Sequence, residues 1–148
     1  MSKRGQNASF EGNMMNNRRE QKFDKRYALE LFRIAKADFQ SAIVLSRASN
    51  EGRPENIFLL AQQSLEKALK AVICALGDPV PFTHEIEVLT DRIQNRTEVP
   101  FLGKFNELSD FATIRRYIEG REDYSIEETT EVLNEVALAL EWCEEQLK

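Results

Sequence analysis

Residues that usually carry metal or catalytic chemistry are scarce in this sequence. His84 is the only histidine among 148 residues, so a multi-histidine metal site is excluded. The two cysteines, Cys74 and Cys143, form neither a CxxC pair nor a Cys/His cluster, which excludes a zinc site of the usual spacing. Both lie at apolar positions of predicted helices. We therefore expect reduced core cysteines, no metal and no other cofactor.

Long apolar runs and catalytic motifs are also missing. No run approaches the roughly 20 apolar residues that cross a bilayer, and the polar N-terminus has no signal-peptide core. We therefore expect a cytoplasmic protein without membrane contact. The sequence contains no GxxxxGK[ST] loop, no GxGxxG and no Glu-x-x-His pair, which favours a protein that is not an enzyme. No stretch alternates with period two, so no sheet is predicted.

Helical periodicity dominates what is present, and residues 54–76 predict the central helix. Pro54 suits a first helical turn, Gly77 suits a left-handed cap, and Pro79 prevents continuation. The apolar positions cover far more than one face, so this helix is expected to be buried on most sides. They are Ile57, Phe58, Ala61, Leu65, Ala68, Leu69, Val72, Ile73 and Leu76.

Further helices are predicted on both sides of the central one. An amphipathic helix spans about 24–49, Thr83 is expected to cap a third helix, and a fourth spans about 102–118. Ser125 and Glu128 form a capping box for a last helix that ends near residue 146. The sequence thus predicts an all-α, up-and-down bundle of four to five helices over residues 24–148.

Charge separates the N-terminus from the rest of the chain. Residues 1–26 hold seven Lys/Arg against three acidic residues, a net charge of +4, whereas the other 122 residues carry −9. Because affinity for duplex DNA comes largely from phosphate neutralisation, the acidic body argues against duplex DNA as a ligand. We predict that residues 1–23 form a disordered basic arm. Such an arm is either a solvated tail or a contact for RNA or an acidic partner.

Two groups of side chains are candidates for a site near the central helix. Gln63, Lys67 and Lys70 share one helix face and could bind a phosphate. The alternative is structural, with an ion pair between Glu66 and Lys70 and with Lys67 at the edge of the bundle. His84 follows a proline-rich connector. It is either a site residue or a local partner of backbone groups.

A third candidate combines arginines with tyrosines in residues 114–124. Arg115 and Arg116 offer guanidinium groups that match phosphate oxygens, while Tyr117 and Tyr124 could stack on a base. A basic helix C-terminus followed by a solvated loop would explain the same residues.

Three blocks of sequence together resemble a known family. They are FLLAQQSLEKALKA at 58–71, THEIEVL at 83–89, and LSDF at 108–111 followed by the RRY of residues 115–117. In this order they resemble the HEPN domain, the higher eukaryotes and prokaryotes nucleotide-binding family. The resemblance covers about residues 25–147.

The resemblance implies a helical bundle that usually dimerises and binds a nucleotide or RNA. The resemblance also implies that such proteins are often encoded beside a small nucleotidyltransferase and can supply its substrate-binding half. The ligand contacts that the resemblance implies are Lys67, Lys70, His84, Arg116 and Tyr117. Ribonuclease members carry Arg, four to six residues, then His in a late helix. The last helix here has neither residue, so we do not expect that kind of ribonuclease.

Three functional hypotheses follow. The first is a non-catalytic homodimer that binds a nucleotide of the ATP or GTP class and partners a separate nucleotidyltransferase. The second is a protein-interaction module, for example one that neutralises a toxin-like protein, without a small ligand. The third is a ribonuclease that uses His84 with an arginine of the RRY segment. The binding residues predicted for the first are Gln63, Lys67, Lys70, His84, Arg115, Arg116, Tyr117 and Tyr124.

Overall fold

The computed structural model describes residues 20–21, 24–48, 54–109 and 125–148, and this part of the chain is mostly helical. The predicted all-α fold is confirmed. Its elements in chain order are β1 (Glu20–Gln21), α1 (Lys25–Arg47), α2 (Pro54–Ala75), β2 (Val80–Pro81), α3 (Ile86–Gln94), a 3₁₀ helix (Asn106–Ser109) and α4 (Ile126–Gln146).

The central helix is α2, which packs against α1, α3 and α4. Thirteen of its 22 residues are buried, so it is covered on most sides as its apolar pattern predicts. Each fully buried leucine, such as Leu65 or Leu69, stabilises the fold by about 2 kcal/mol relative to exposure. Ser64 contacts Ala35 near the middle of both helices, while Cys74 at the end of α2 contacts Asp24 at the start of α1, which shows that the two helices run antiparallel.

Both ends of α2 have the residues and backbone geometry that its sequence predicts. Pro54 opens the helix, and Gly77 has a φ of 78°. The Gly77 amide donates to the carbonyl of Cys74 at 3.0 Å, and the Asp78 amide donates to that of Ile73 at 3.2 Å. These two bonds form a Schellman cap, which satisfies carbonyl groups at the helix C-terminus. The predicted glycine cap is therefore confirmed.

A side chain caps the N-terminus of α4 but not that of α3. The Ser125 hydroxyl accepts from the Glu128 amide at 3.0 Å, which confirms the capping residue predicted for α4. The prediction that Thr83 caps the third helix is wrong. That helix begins at Ile86 after Glu85, and the Thr83 hydroxyl instead accepts from the Glu85 amide at 3.1 Å, two residues on. Threonine favours such local turns as readily as helix caps.

The predicted fourth helix over 102–118 is wrong where the structure describes it. Residues 101–105 form turns and Asn106–Ser109 form a 3₁₀ helix, while residues 110–118 lie outside the described residues. Gly103 has a φ of 81°, a left-handed conformation that interrupts an α-helix. Phe101, Phe105 and Leu108 are still buried, whereas Leu102 is exposed. Phe101 packs edge-on against both Phe105 and Trp142, with ring centroids 5.6 and 5.5 Å apart.

A short strand pair corrects the expectation that there is no sheet. β1 and β2 are antiparallel, with Glu20 opposite Pro81 and Gln21 opposite Val80. Two residues are too few to show a period-two pattern, so sequence periodicity could not detect them. The rest of the predicted basic arm, residues 1–19 and 22–23, lies outside the described residues.

Both cysteines are buried in the core and neither forms a disulfide, as predicted. The Cys74 thiol contacts the backbone oxygen of Asp24 at 3.3 Å. Burial raises the pKa of the Cys143 thiol well above its ordinary value, because the charged thiolate would be desolvated. A protonated thiol in the core is a poor nucleophile.

Candidate functional site

A polar stripe runs along α2 on the side that meets the connector between α2 and α3. Gln62, Glu66 and Lys70 recur every four residues, so their side chains follow one another along the helix. Gln62 and Glu66 are buried, and Lys70 is partly buried. Buried polar side chains need partners, and the connector supplies them.

His84 in this connector joins the stripe to form what we call the Glu66 cluster: Gln62, Glu66, Lys70 and His84. Oε1 of Glu66 lies 2.6 Å from Nδ1 of His84 and 3.4 Å from Nζ of Lys70. Nε2 of Gln62 donates to the backbone oxygen of His84 at 3.0 Å. The side chain of Glu66 is 8% exposed, that of Lys70 is 17% exposed and that of His84 is 71% exposed. The carboxylate is therefore covered, while the imidazole faces solvent.

The contact with Glu66 defines what the imidazole can offer. A carboxylate only accepts hydrogen bonds, so His84 donates Nδ1–H to it. Nε2 is then left for a ligand, as a proton acceptor in neutral histidine and as a donor in the charged form. Lys70 places an ammonium group, with three donor hydrogens, beside the same carboxylate. The cluster can thus offer two nitrogen groups to an anion.

The connector that carries His84 is fixed at several points. Val80 and Pro81 are buried, and Nη1 of Arg92 on α3 lies 3.3 Å from the backbone oxygen of Pro79. Asp78 accepts from Nη1 of Arg96 at 2.7 Å. Together with the Gln62 contact, these bonds hold His84 in place over α2. A preorganised side chain loses less conformational entropy when it binds a ligand.

The predicted phosphate-binding face of α2 is divided by the structure. Lys67 forms an ion pair with Asp38 of α1, and both side chains are partly buried. Lys70 turns instead to Glu66 and the connector. Gln63 is partly buried and lies outside the Glu66 cluster. Lys70 and His84 are thus the two predicted site residues that the described structure brings together.

The remaining predicted site residues lie outside the described residues. They are Arg115, Arg116, Tyr117 and Tyr124. Their contribution to a site stays a prediction. Within the ranges that the structure describes, no group of three or more His, Cys, Asp and Glu side chains is placed to hold a metal ion. None of the described helices combines the length and apolar character that spanning a membrane requires.

Two members of the cluster, Gln62 and Glu66, were not among the predicted binding residues. The spacing of four between Gln62, Glu66 and Lys70 is a signal in the sequence, but there the pair of Glu66 and Lys70 is only the structural alternative to a phosphate-binding face. That ion pair is present. The contact that makes this ion pair part of a larger cluster joins Glu66 to His84, 18 residues later in the sequence. Helix periodicity cannot reveal such a contact.

The described structure is that of an all-α helical bundle with a polar cluster on its central helix. The family model of the HEPN domain matches residues 28–146. The chain therefore belongs to the HEPN domain family. No curated protein matches the chain significantly, and no solved structure does so.

Proposed function

We propose that the protein binds a phosphate group of a nucleotide or of RNA at the Glu66 cluster. The observation that carries the proposal is the convergence of Lys70 and His84 on one buried carboxylate oxygen, 3.4 and 2.6 Å away. Membership of the HEPN domain family supports a nucleotide or RNA ligand. The four residues supply both the donors and the framework that holds them.

Each residue has a distinct role in this proposal. Lys70 and the Nε2 side of His84 contact phosphate oxygens, because a charged donor gives the stronger hydrogen bonds to an anion. Glu66 holds both side chains in position and does not contact the ligand. Lys67 stabilises the packing of α1 on α2 through Asp38 and is not a ligand contact.

The wider hypothesis assigns the protein a non-catalytic role. In it, a homodimer presents a nucleotide of the ATP or GTP class to a separate nucleotidyltransferase. Arg115, Arg116, Tyr117 and Tyr124 would add contacts to phosphate and base. These finer assignments rest on the sequence resemblance and on the residue types.

Calorimetric titration of the full chain with ATP, GTP and a short single-stranded RNA tests the proposal. Saturable binding is expected with at least one of these ligands, and Lys70→Met should weaken it about tenfold or more, the loss expected for one charged hydrogen bond. Lys36→Met is the matched control, because Lys36 is an exposed lysine on α1. Equal affinities of the two variants would contradict the proposed site. Absence of binding with every ligand would favour the protein-interaction module.

The contact between Glu66 and His84 favours one alternative function, the cleavage of RNA. A histidine oriented by a carboxylate can act as a general base, with an effect of about 10²- to 10⁴-fold. Nε2 of His84 would remove the proton of a 2′-hydroxyl, whose oxygen then attacks the adjacent phosphorus. The 5′-oxygen leaves and takes up a proton, giving a 2′,3′-cyclic phosphate and a 5′-hydroxyl end. Lys70 would stabilise the charge on the phosphorus centre.

Incubation with an RNA oligonucleotide separates this alternative from simple binding. Cleavage should yield cyclic phosphate ends and should stop when the 2′-hydroxyl at the cleaved position is replaced by hydrogen. His84→Gln should abolish cleavage, and Glu66→Gln should reduce it. Cleavage that persists in a highly purified His84→Gln variant would exclude His84 as the base. Intact RNA with the wild-type chain would leave the binding function alone.

A further inference from the structure

Phe82 differs from the other exposed apolar side chains of the described residues. It is 67% exposed, whereas Tyr27, the other exposed Phe, Tyr or Trp among them, is 40% exposed. Single exposed aliphatic side chains are ordinary on a protein surface. A large aromatic ring that folding leaves in water, however, forgoes the stabilisation that burial would give it. We therefore ask what could pack on this ring.

Phe82 belongs to the same connector as His84 and precedes it by two residues. Exposure alternates along this segment. Pro81 is buried, Phe82 is exposed, Thr83 is partly buried, and the side chain of His84 is 71% exposed. Two residues of extended chain span at most about 7 Å. Two solvent-facing rings thus lie close together, one of them part of the Glu66 cluster.

The backbone is fixed on both sides of Phe82. Directly before it, β2 is buried and pairs with β1. Directly after it, Nε2 of Gln62 donates to the backbone oxygen of His84 at 3.0 Å. Phe82 therefore retains mainly the freedom of its two side-chain torsions. Little conformational entropy is lost when a flat group packs on such a ring.

A fixed aromatic ring beside a phosphate site matches the two ends of a nucleotide, in which one sugar separates the phosphate from the base. Lys70 and Nε2 of His84 supply donors for the phosphate. The ring of Phe82 supplies a flat apolar surface for the base, and any base can stack on it because every base has a π-face. Phe82 can thus perform the stacking that the sequence suggested for Tyr117 and Tyr124.

We propose that Phe82 is the base-stacking residue of the phosphate site. This inference rests on the proposed phosphate-binding function and adds a specificity to it. The site binds a phosphate that carries a base more tightly than the same phosphate without one. Lys70 and His84 determine that an anion binds, and Phe82 determines which anion is preferred.

Two pairs of ligands, each differing in the presence of a base, test this specificity by calorimetric titration of the full chain. The first pair is ATP and inorganic tripolyphosphate, and the second is a six-nucleotide single-stranded RNA and an abasic strand with the same number of phosphates. In at least one pair the wild type should bind the base-containing member about tenfold more tightly, the size of one stacking contact. Phe82→Ala should remove most of this preference and change the affinity for the base-free member less than twofold. Leu138→Ala on α4, where the side chain is 65% exposed, is the matched control and should change neither affinity.

Two further variants separate stacking from general apolar contact. Phe82→Trp keeps an aromatic surface and should retain the preference, whereas Phe82→Leu keeps only apolar character and should lose at least half of it on a logarithmic scale. The new tryptophan also reports directly, because a base stacked on it should quench its fluorescence and the base-free ligand should not. The wild type, whose only tryptophan is Trp142, is the control for this signal.

The outcomes distinguish this inference from the proposed function. Equal affinities within both pairs in the wild type, or a preference that survives Phe82→Ala or Phe82→Leu in full, would overturn the role of Phe82. So would a loss of base-free binding in Phe82→Ala, since it would show that the ring only supports the connector. In each case the proposed function still stands if Lys70→Met weakens binding of tripolyphosphate or the abasic strand. If the wild type binds none of the four ligands, the proposed function itself fails, and the inference fails with it.

Discussion

Lys67 and Lys70 lie three residues apart on α2, and the structure gives them different surroundings. Lys67 pairs with Asp38 of α1, so its partner belongs to a neighbouring helix. Lys70 pairs with Glu66 of its own helix, and Glu66 also contacts His84 in the connector. One lysine therefore joins two helices, whereas the other belongs to a cluster beside an exposed imidazole.

The difference shows that two residues on a shared helix face can have different partners. Both lysines satisfy the same spacing argument, and Lys67, whose side chain is 32% exposed, is more accessible than Lys70 at 17%, so the difference lies in their partners and not in exposure. The Asp38 carboxylate contacts Lys67 directly. In the Glu66 cluster one carboxylate oxygen is shared by two nitrogen groups, so each retains capacity for an anion. Substitutions at these positions test whether the two lysines differ in function.

The largest effect is expected on ligand affinity. Lys70→Met should weaken phosphate-dependent binding of RNA or nucleotide by about tenfold to a hundredfold, because a charged hydrogen bond contributes about 1.5 to 3 kcal/mol. Lys67→Met should change the affinity less than twofold. Methionine keeps most of the aliphatic stem in both variants, so packing is altered similarly. Calorimetric titration at a temperature where all variants are folded measures both values.

An equal or larger loss of ligand affinity in Lys67→Met would contradict the different roles that we propose for the two lysines. If Lys67→Met weakened binding as much as Lys70→Met, the predicted phosphate face of Gln63, Lys67 and Lys70 would be correct. The ion pair with Asp38 would then have to open when the ligand binds.

Glu66→Gln should have the largest effect on stability. The substitution keeps the shape of the side chain but removes the charge that Lys70 and His84 share, in a position that is almost fully buried. We expect the free energy of unfolding to fall by about 2 kcal/mol, the difference expected when charged hydrogen bonds to a buried group are lost. Urea denaturation measures the change. Glu145→Gln, in an exposed pair with Lys148, is the control and should leave the free energy of unfolding almost unchanged.

A loss at Glu66 no larger than at Glu145 would show that the cluster does not hold the connector. The contact between Glu66 and His84 would then be a surface hydrogen bond without structural consequence. Phosphate binding by Lys70 would remain testable, but the preorganised arrangement would fail.

Much of the fold could be predicted from the sequence because local rules decide it. Pro54, Gly77 and Ser125 mark helix ends through backbone geometry and hydrogen bonding, and the structure places them there. The errors lie where local preferences are balanced. Thr83 forms a turn instead of a cap, and Gly103 interrupts a stretch whose apolar residues fit a helix.

The site could be predicted only in part, because it depends on contacts between distant residues. Helix periodicity places Gln63, Lys67 and Lys70 on one face, but it cannot show that Lys67 forms an ion pair with Asp38 of α1. Nor can it show that the connector brings His84 onto Glu66. The role of the buried Glu66 carboxylate can be recognised only in the folded structure, because its partner His84 lies 18 residues away in the sequence.

The ion pair of Lys67 with Asp38 should contribute a smaller amount to stability. Both side chains are partly buried, so removing one leaves its partner poorly compensated. We expect Lys67→Met to lower the free energy of unfolding by about 1 kcal/mol, at the upper end for exposed ion pairs. A double-mutant cycle with Asp38→Asn isolates the interaction. A coupling energy below about 0.3 kcal/mol would mean that Lys67 and Asp38 do not fasten α1 to α2, the role that distinguishes Lys67 from Lys70.

Gln62→Leu should have the smallest effect on stability, and the reason lies in the two ends of the amide. Its Nε2 donates to the backbone oxygen of His84, whereas its buried Oε1 has no partner among the described residues. Leucine removes a hydrogen bond of about 1 kcal/mol, but it also removes an unsatisfied acceptor whose burial is unfavourable. The free energy of unfolding should therefore change by less than about 0.5 kcal/mol.

Affinity for RNA should still fall about two- to threefold in Gln62→Leu, because the backbone of His84 loses a hydrogen bond that holds it in place. Urea denaturation and titration on the same preparation, with Gln63→Leu as the neighbouring control, measure both effects. A loss of 2 kcal/mol or more would show that Oε1 has a partner such as a buried water, and unchanged affinity would remove Gln62 from the groups that position His84.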